Sequence, residues 1–219
     1  TGFKVITIIP HEELLPILLE AVQQDGESLL SWDEEVSQLQ RRIELVRMHS
    51  NDSKWPDFST SHLLTQVADW LSPYLTNKFR KRDDFKKLNL IEILNSKLSW
   101  EQQQELEKLV PTKLEVPTGS MIKIEYQEHG APPILSVRLQ EIFGLSDTPA
   151  ILNGKIKLMI HLLSPGYRPV QVTQDLRSFW NTTYAEVRKE MRSRYPKHSW
   201  PEDPWTAVAV RGVVRKKRD

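Results

Sequence analysis

The densest pattern of chemically useful residues in this 219-residue chain lies between Arg177 and Trp200. Arg177, Arg188, Lys189, Arg192 and Arg194 recur at helical spacing, and Tyr195, Lys197, His198 and Trp200 follow in a segment punctuated by Pro196 and Pro201. The chemistry this pattern supports is binding. A row of Arg offers forked donors to successive phosphates, and each such contact weakens as salt rises. Tyr195, His198 and Trp200 supply rings able to stack on an unpaired base. The same residues also read as a solvated helix face, with Trp200 simply locking a turn. A second candidate lies among alternating positions further upstream. Lys123, Arg138, Lys155, Lys157, Arg168 and Gln171 fall at or near strand positions, where several can share one exposed face of the kind small β-barrels present to single strands, or serve as ordinary solubilising positions.

Catalytic patterns are missing. No GxxxxGK[ST] is present to cradle phosphates, and Trp32-Asp33-Glu34-Glu35 sits in a helical pattern rather than at the strand end a Mg²⁺-holding carboxylate needs. His11, His49, His62, His129, His161 and His198 have no metal-ligand spacing, and there is no Cys. No GxSxG elbow exists, and nothing singles out a pair among Glu13, Glu35, Glu125, Glu141 and Asp175. The reading is a chain with no catalytic residues and no metal site.

The elements that must position the basic residues follow from periodicity. Phe3 to Ile9 reads as a strand left from a preceding domain (residues 1–9), and residues 10–109 as a helical domain. Leu14, Leu15, Leu18, Leu19 and Val22 form one stripe, and Gly26 is expected to end that helix. Trp32 to Met48 repeats the pattern through Val36, Leu39, Ile43 and Val46, with Ser31 or Asp33 as N-cap. HSNDSKWPDFSTS is a loop, Ser59 to Leu71 a helix broken by Pro73, and KFRKRDDFKKLN a charged connection before two short helices, Leu90–Leu98 and Trp100–Leu109. Near Val110 the period drops from about 3.6 to 2. LEVPTGSMIKIEYQ, PILSVRLQEIF, KIKLMIHLLSP and RPVQVTQD are separated by turn signals, the rhythm of a small antiparallel sheet or barrel. Leu176 to Ser193 returns to helix, its stripe made of Leu176, Phe179, Trp180, Tyr184, Val187 and Met191. The expected class is α+β: an N-terminal helical domain, a β-rich domain over residues 110–205 with a C-terminal helix, and a basic tail (206–219) expected to fray.

Bulk properties bound the rest. Net charge is +1, but residues 164–219 carry 12 Lys and Arg against 6 Asp and Glu, while the remainder carries 18 against 23. A basic C-terminal quarter on a mildly acidic body points to an anionic partner for one face. The absence of Cys excludes a disulfide framework and fits a cytoplasmic location. No signal-peptide or membrane-spanning pattern is present. The chain opens TGFKVITIIP without an initiator Met and reads as a piece of something longer.

Several stretches also carry a family resemblance. LVPTKLEVPTGSMIKIEYQ, VRLQEIFG, HLLSPGYRPVQVTQDL and RYPKHSWPEDP, in this order, resemble the C-terminal extension of the HrpB-type bacterial DEAH-box ATP-dependent helicases. WDEEVSQLQRRIELVR is similar only loosely. The resemblance implies an accessory region of an ATP-dependent RNA helicase, partnered by nucleic acid (RNA expected) and by motor domains of the same parent chain. It implies ATP and Mg for those motor domains and no cofactor here. A different class is also open: a structural or protein-interaction module that braces the motor without touching nucleic acid.

Overall fold

The structure, a computed structural model, describes residues 9–50 and 53–213. All but Ile9 of the strand expected over Phe3–Ile9 therefore lies outside the described residues. The chain forms two compact units, residues 1–106 and 107–219.

The first unit is helical. Helix α1 (His11–Leu29) buries Leu14, Leu18 and Val22 of the expected stripe, with Leu15 and Leu19 half-buried, and also buries Leu29. Gly26 does not end it. The glycine is buried mid-helix, where a Cβ would collide with the Leu64 side chain, so it permits a close approach between helices and the helix continues one turn further. Helix α2 (Glu34–His49) starts at Asp33, whose Oδ1 accepts the Val36 amide at 3.0 Å, the N-cap bond expected of an Asp at this position. The single helix expected over Ser59–Leu71 is two: α3 (Thr60–Thr65) and α4 (Val67–Leu71), divided at Gln66, whose ψ of 29° lies outside the helical range. Trp70 bridges the break, its Nε1 donating to the Leu63 carbonyl at 2.8 Å. The charged connection contains a one-turn helix, α5 (Arg82–Phe85), and α6 (Leu90–Asn95) and α7 (Trp100–Leu109) follow. Each Leu, Ile or Phe side chain buried in this way contributes about 1.5–3 kcal/mol relative to exposure.

The second unit holds a five-stranded sheet of order β1-β2-β3-β6-β7, from β1 (Lys113–Glu115), β2 (Met121–Glu125), β3 (Ile134–Arg138), β6 (Met159–Leu163) and β7 (Pro169–Thr173). A separate hairpin pairs β4 (Ala150–Ile151) with β5 (Ile156–Lys157). The sheet is open and mixed, which corrects the expectation of an antiparallel sheet or barrel. β3 and β6 run parallel, with Arg138 opposite Leu163. The reason is the connection: residues 139–158 make a crossover long enough to return the chain in the same direction, and they include the β4–β5 hairpin. One sheet face buries Ile124, Leu135, Val137, Ile160 and Leu162. The opposite face carries a register row of Lys113, Lys123, Ser136, His161 and Val172.

The C-terminal helical stretch runs through α8 (Leu176–Ser178), a π turn (Phe179–Thr183) and α9 (Tyr184–Arg194). All six residues of its predicted stripe are buried. Phe143 meets Trp180 and Tyr184 at ring centroid distances of 6.2 and 6.0 Å. The tail is better anchored than its pattern suggests: Val210 donates its amide to the Gln140 carbonyl at 3.0 Å and Arg211 Nη2 reaches the Thr118 carbonyl at 2.9 Å. Backbone-directed bonds of this kind leave no periodicity to read. Residues 214–219 lie outside the described residues.

Candidate nucleic-acid interface

The helix row expected to face outward together is divided by its partners. Arg188 is half-buried and folds under the turn that follows α9, its Nε donating to the Trp200 carbonyl at 2.9 Å and its Nη2 meeting Glu202 at 3.2 Å. Tyr184 Oη donates to the Pro201 carbonyl at 2.7 Å, and Trp200 Nε1 to the Tyr195 carbonyl at 2.9 Å. Trp200, only 7% exposed, locks this turn and presents no face to a base. Arg177 is engaged by both carboxylate oxygens of Asp147 at 2.9 and 3.1 Å, and Arg194 by Glu190 at 3.2 Å. Every one of these partners lies in the second unit. Lys189, Arg192 and Lys197 are exposed and carry no ion pair among the described residues.

A tighter constellation forms where the strand ends meet. Arg138 closes β3, and the parallel register sets it beside Leu163, so the turn after β6 (Ser164–Arg168) starts next to it. Ser164 is buried. Its Oγ accepts the Arg168 amide at 3.2 Å and hydrogen-bonds Tyr195 Oη at 3.2 Å, which ties the turn after α9 to the turn after β6. His198 packs edge-on against Tyr195 at 6.0 Å. Burial first, then the charge of Arg138, push its imidazole below its ordinary pKa, so it is neutral near pH 7. Its Nδ1 is buried with no partner among the described residues.

Beneath Arg138 sits Glu141, 4% exposed. Its carboxylate accepts Arg138 Nε at 3.0 Å, Ser120 Oγ at 2.8 Å and Thr118 Oγ1 at 3.0 Å. Burial pushes this carboxyl up, but the bonds from Ser120, Arg138 and Thr118 and the charge of Arg138 together hold it below the ordinary carboxylate range. Glu141 thus fixes the guanidinium as an ionised partner and pins the β1–β2 turn to it.

Above the guanidinium lies the residue that the sequence pattern did not reveal. Tyr167 is 66% exposed, and Arg138 Cζ lies 4.9 Å from its ring centroid. Its φ of 61° is a left-handed conformation that a bulky side chain adopts at a cost of about 1–2 kcal/mol. The cation–π contact with Arg138 contributes about 0.5–1 kcal/mol at an exposed site, so the contact does not by itself account for the strain. Exposed Arg168 follows directly. The only sequence hint was the Pro165-Gly166 turn signal immediately before it.

The structure therefore brings together Arg138, Arg168, Tyr195 and His198 with Tyr167, sets Arg188 and Trp200 as internal braces, and leaves Arg177, Lys189, Arg192 and Arg194 along the helix. Of the second candidate set, Lys123 lies on the open sheet face, whereas Lys155 and Lys157 belong to the β4–β5 hairpin. Among the described residues no group of three or more His, Asp or Glu could hold a metal ion, and no helix is long and apolar enough to cross a membrane.

A family model described as ATP-dependent helicase C-terminal matches residues 70–204. The chain is 40% identical over 201 residues to the ATP-dependent RNA helicase HrpB of Escherichia coli (strain K12), covering 92% of this chain and 25% of that protein. The crystal structure of the E. coli DExH-box NTPase HrpB superposes with a TM-score of 0.86 at 38% identity, covering 93% of this chain and 25% of the other. A second crystal structure, of the E. coli DEAH/RHA helicase HrpB, gives 0.74 at 36% identity, over 91% and 25%. The chain spans about a quarter of the length of these relatives.

Proposed function

The chain belongs to the ATP-dependent helicase C-terminal family, and from that premise we propose that it is a non-catalytic accessory region of an ATP-dependent RNA helicase that holds single-stranded RNA. In this reading ATP and Mg serve motor domains elsewhere in the parent protein, those motor domains are its same-chain partners, and the setting is the bacterial cytoplasm. The observation that carries the reading is Tyr167: an exposed ring in a strained conformation, backed on one face by a guanidinium. Strain retained at a surface residue calls for a compensating role, and an open aromatic face beside a cation suits an unpaired base and its phosphate.

The chemistry is positioning. Glu141 holds Arg138, Arg138 backs Tyr167, and Arg168, Arg192 and Lys197 add charges that the described residues leave without ion pairs. A duplex keeps its bases stacked inside, so a single strand is the better partner for Tyr167. Fluorescence anisotropy of labelled single-stranded and duplex RNA at two salt concentrations tests this. Tighter, salt-sensitive binding of the single strand is expected. The triple variant Arg168→Ala/Arg192→Ala/Lys197→Ala should lower the salt slope by about 2, at about 0.7 per phosphate contact on a single strand. An unchanged slope, or no binding even at low salt, overturns the proposal. The second outcome favours a module that braces the motor, for which the internal locking of Arg188 and Trp200 is the supporting observation.

A further inference from the structure

The most basic short stretch of the first unit lies outside the proposed interface. Residues 78–87, KFRKRDDFKK, place six cations against two carboxylates, and Lys78, Arg80, Lys81, Arg82, Lys86 and Lys87 are all exposed. The stretch is ordered around Asp84. Its Oδ2 accepts the backbone amides of Arg80 and Lys81 at 2.9 and 3.1 Å, and its Oδ1 meets Lys87 Nζ at 2.7 Å. The bond from Lys87, then the amide of Arg80, hold this carboxyl down to about 2, so it stays ionised at any ordinary pH. Both of its oxygens are occupied. Arg82 is turned away to Ser28 and Asp25. Lys78, Lys81 and Lys86 carry no ion pair among the described residues.

Against this loop opens a cleft of about 280 Å³ lined by Tyr74, Thr76, Lys78, Phe79, Asp84, Lys87 and Leu88. Phe79 is set by an edge-to-face contact with the buried Phe85, ring centroids 5.1 Å apart. Tyr74 is partly exposed, its hydroxyl 3.3 Å from Ser96 Oγ. Two rings and two lysines line the cleft, and Lys81 and Lys86 are exposed in the same ten-residue stretch, which sets an apolar floor beside a concentration of positive charge.

We propose that this cleft is a second nucleic-acid contact, taking one nucleotide unit of a single-stranded RNA with the base against Tyr74 and Phe79 and the phosphates on Lys78, Lys81 and Lys86. Charge complementarity selects a polyanion, and the two rings lining the cleft select one with exposed bases over an acidic protein surface. The Asp84 carboxylate in the wall is neutralised by Lys87, which leaves Lys78 and its neighbours Lys81 and Lys86 to set the potential. This inference shares with the proposed function only the identity of the partner, and it rests on residues of the other unit.

Photo-crosslinking the 219-residue chain to a 4-thiouridine-substituted single-stranded oligouridylate, with adducts located by mass spectrometry, tests the two sites separately. Adducts within residues 74–88 are expected, lost in Lys78→Ala/Lys81→Ala/Lys86→Ala while adducts around Tyr167 persist. Far-ultraviolet circular dichroism shows that the variant is folded. Adducts around Tyr167 alone overturn the second site and leave the first. Adducts in residues 74–88 alone do the reverse. Adducts at neither, or adducts in residues 74–88 that survive in the triple-lysine variant, overturn the proposal.

Discussion

Replacing Tyr167 by Gly separates binding from folding more cleanly than any other change at the interface. The ring is 66% exposed, so truncation removes little buried area. Glycine adopts φ 61° freely, which relieves about 1–2 kcal/mol of strain against an entropic cost of about 0.5–1 kcal/mol in the unfolded chain. Losing the contact with Arg138 costs about 0.5–1 kcal/mol. These effects offset one another, and thermal stability should move by less than about 1 kcal/mol. RNA affinity should not be spared. A base–aromatic stack is worth about 1–3 kcal/mol, so Tyr167→Gly should bind a single strand roughly 5- to 150-fold more weakly. The salt slope should not change, because a ring contributes no counterion release. Tyr167→Phe keeps the face and should bind like the parent chain. Anisotropy at one fixed salt concentration, alongside a melting curve for each variant, reads all three quantities. An unchanged affinity in a folded Tyr167→Gly chain refutes the stacking argument, and a Phe variant as weak as the Gly variant refutes it equally by showing that the hydroxyl was what mattered.

Two further outcomes concern the scaffold. Glu141→Gln replaces a buried, triply bonded carboxylate and should cost about 1.5–3 kcal/mol at neutral pH, the value of hydrogen bonds to a charged group. Because the folded-state pKa of Glu141 is depressed, its contribution is present above the unfolded value and is lost as pH falls through the folded one. Denaturation curves of the two proteins should therefore converge towards acid pH, and curves that stay parallel would remove the charge from the account. In the first unit, Gly26→Ala gains about 1 kcal/mol of helix propensity but forces a Cβ into Leu64, an overpacking cost of about 1–3 kcal/mol. Urea denaturation should show a net loss of up to about 2 kcal/mol, whereas a stabilised variant would mean that Leu64 moves aside freely.

The Leu176–Met191 stripe, the Asp33 cap and the change of period near Val110 were legible because each is a local rule: side chains three or four apart share a helix face, and a carboxylate one turn ahead meets a free amide. The α+β class followed from them. The helix α1 end was misread because a glycine that stops a helix and one that admits a neighbouring helix are the same letter, and only Leu64 distinguishes them. Of the candidate interface, Arg138, Arg168, Tyr195 and His198 could be named one by one, yet nothing local said that they meet.

What the sequence by itself determined is therefore the set of elements, their buried stripes and the basic, aromatic character of the C-terminal unit, since these depend on spacing along one segment. Tertiary structure alone decided which cations are free. Arg188 looked like its neighbour Arg192 on a helical wheel, but the turn that returns over α9 captures one and leaves the other. The parallel pairing of β3 with β6 set Arg138 beside the Ser164–Arg168 turn, in which Tyr167 takes its φ of 61°. Both depend on contacts between distant segments, whose cost in chain entropy is met only when the whole unit folds.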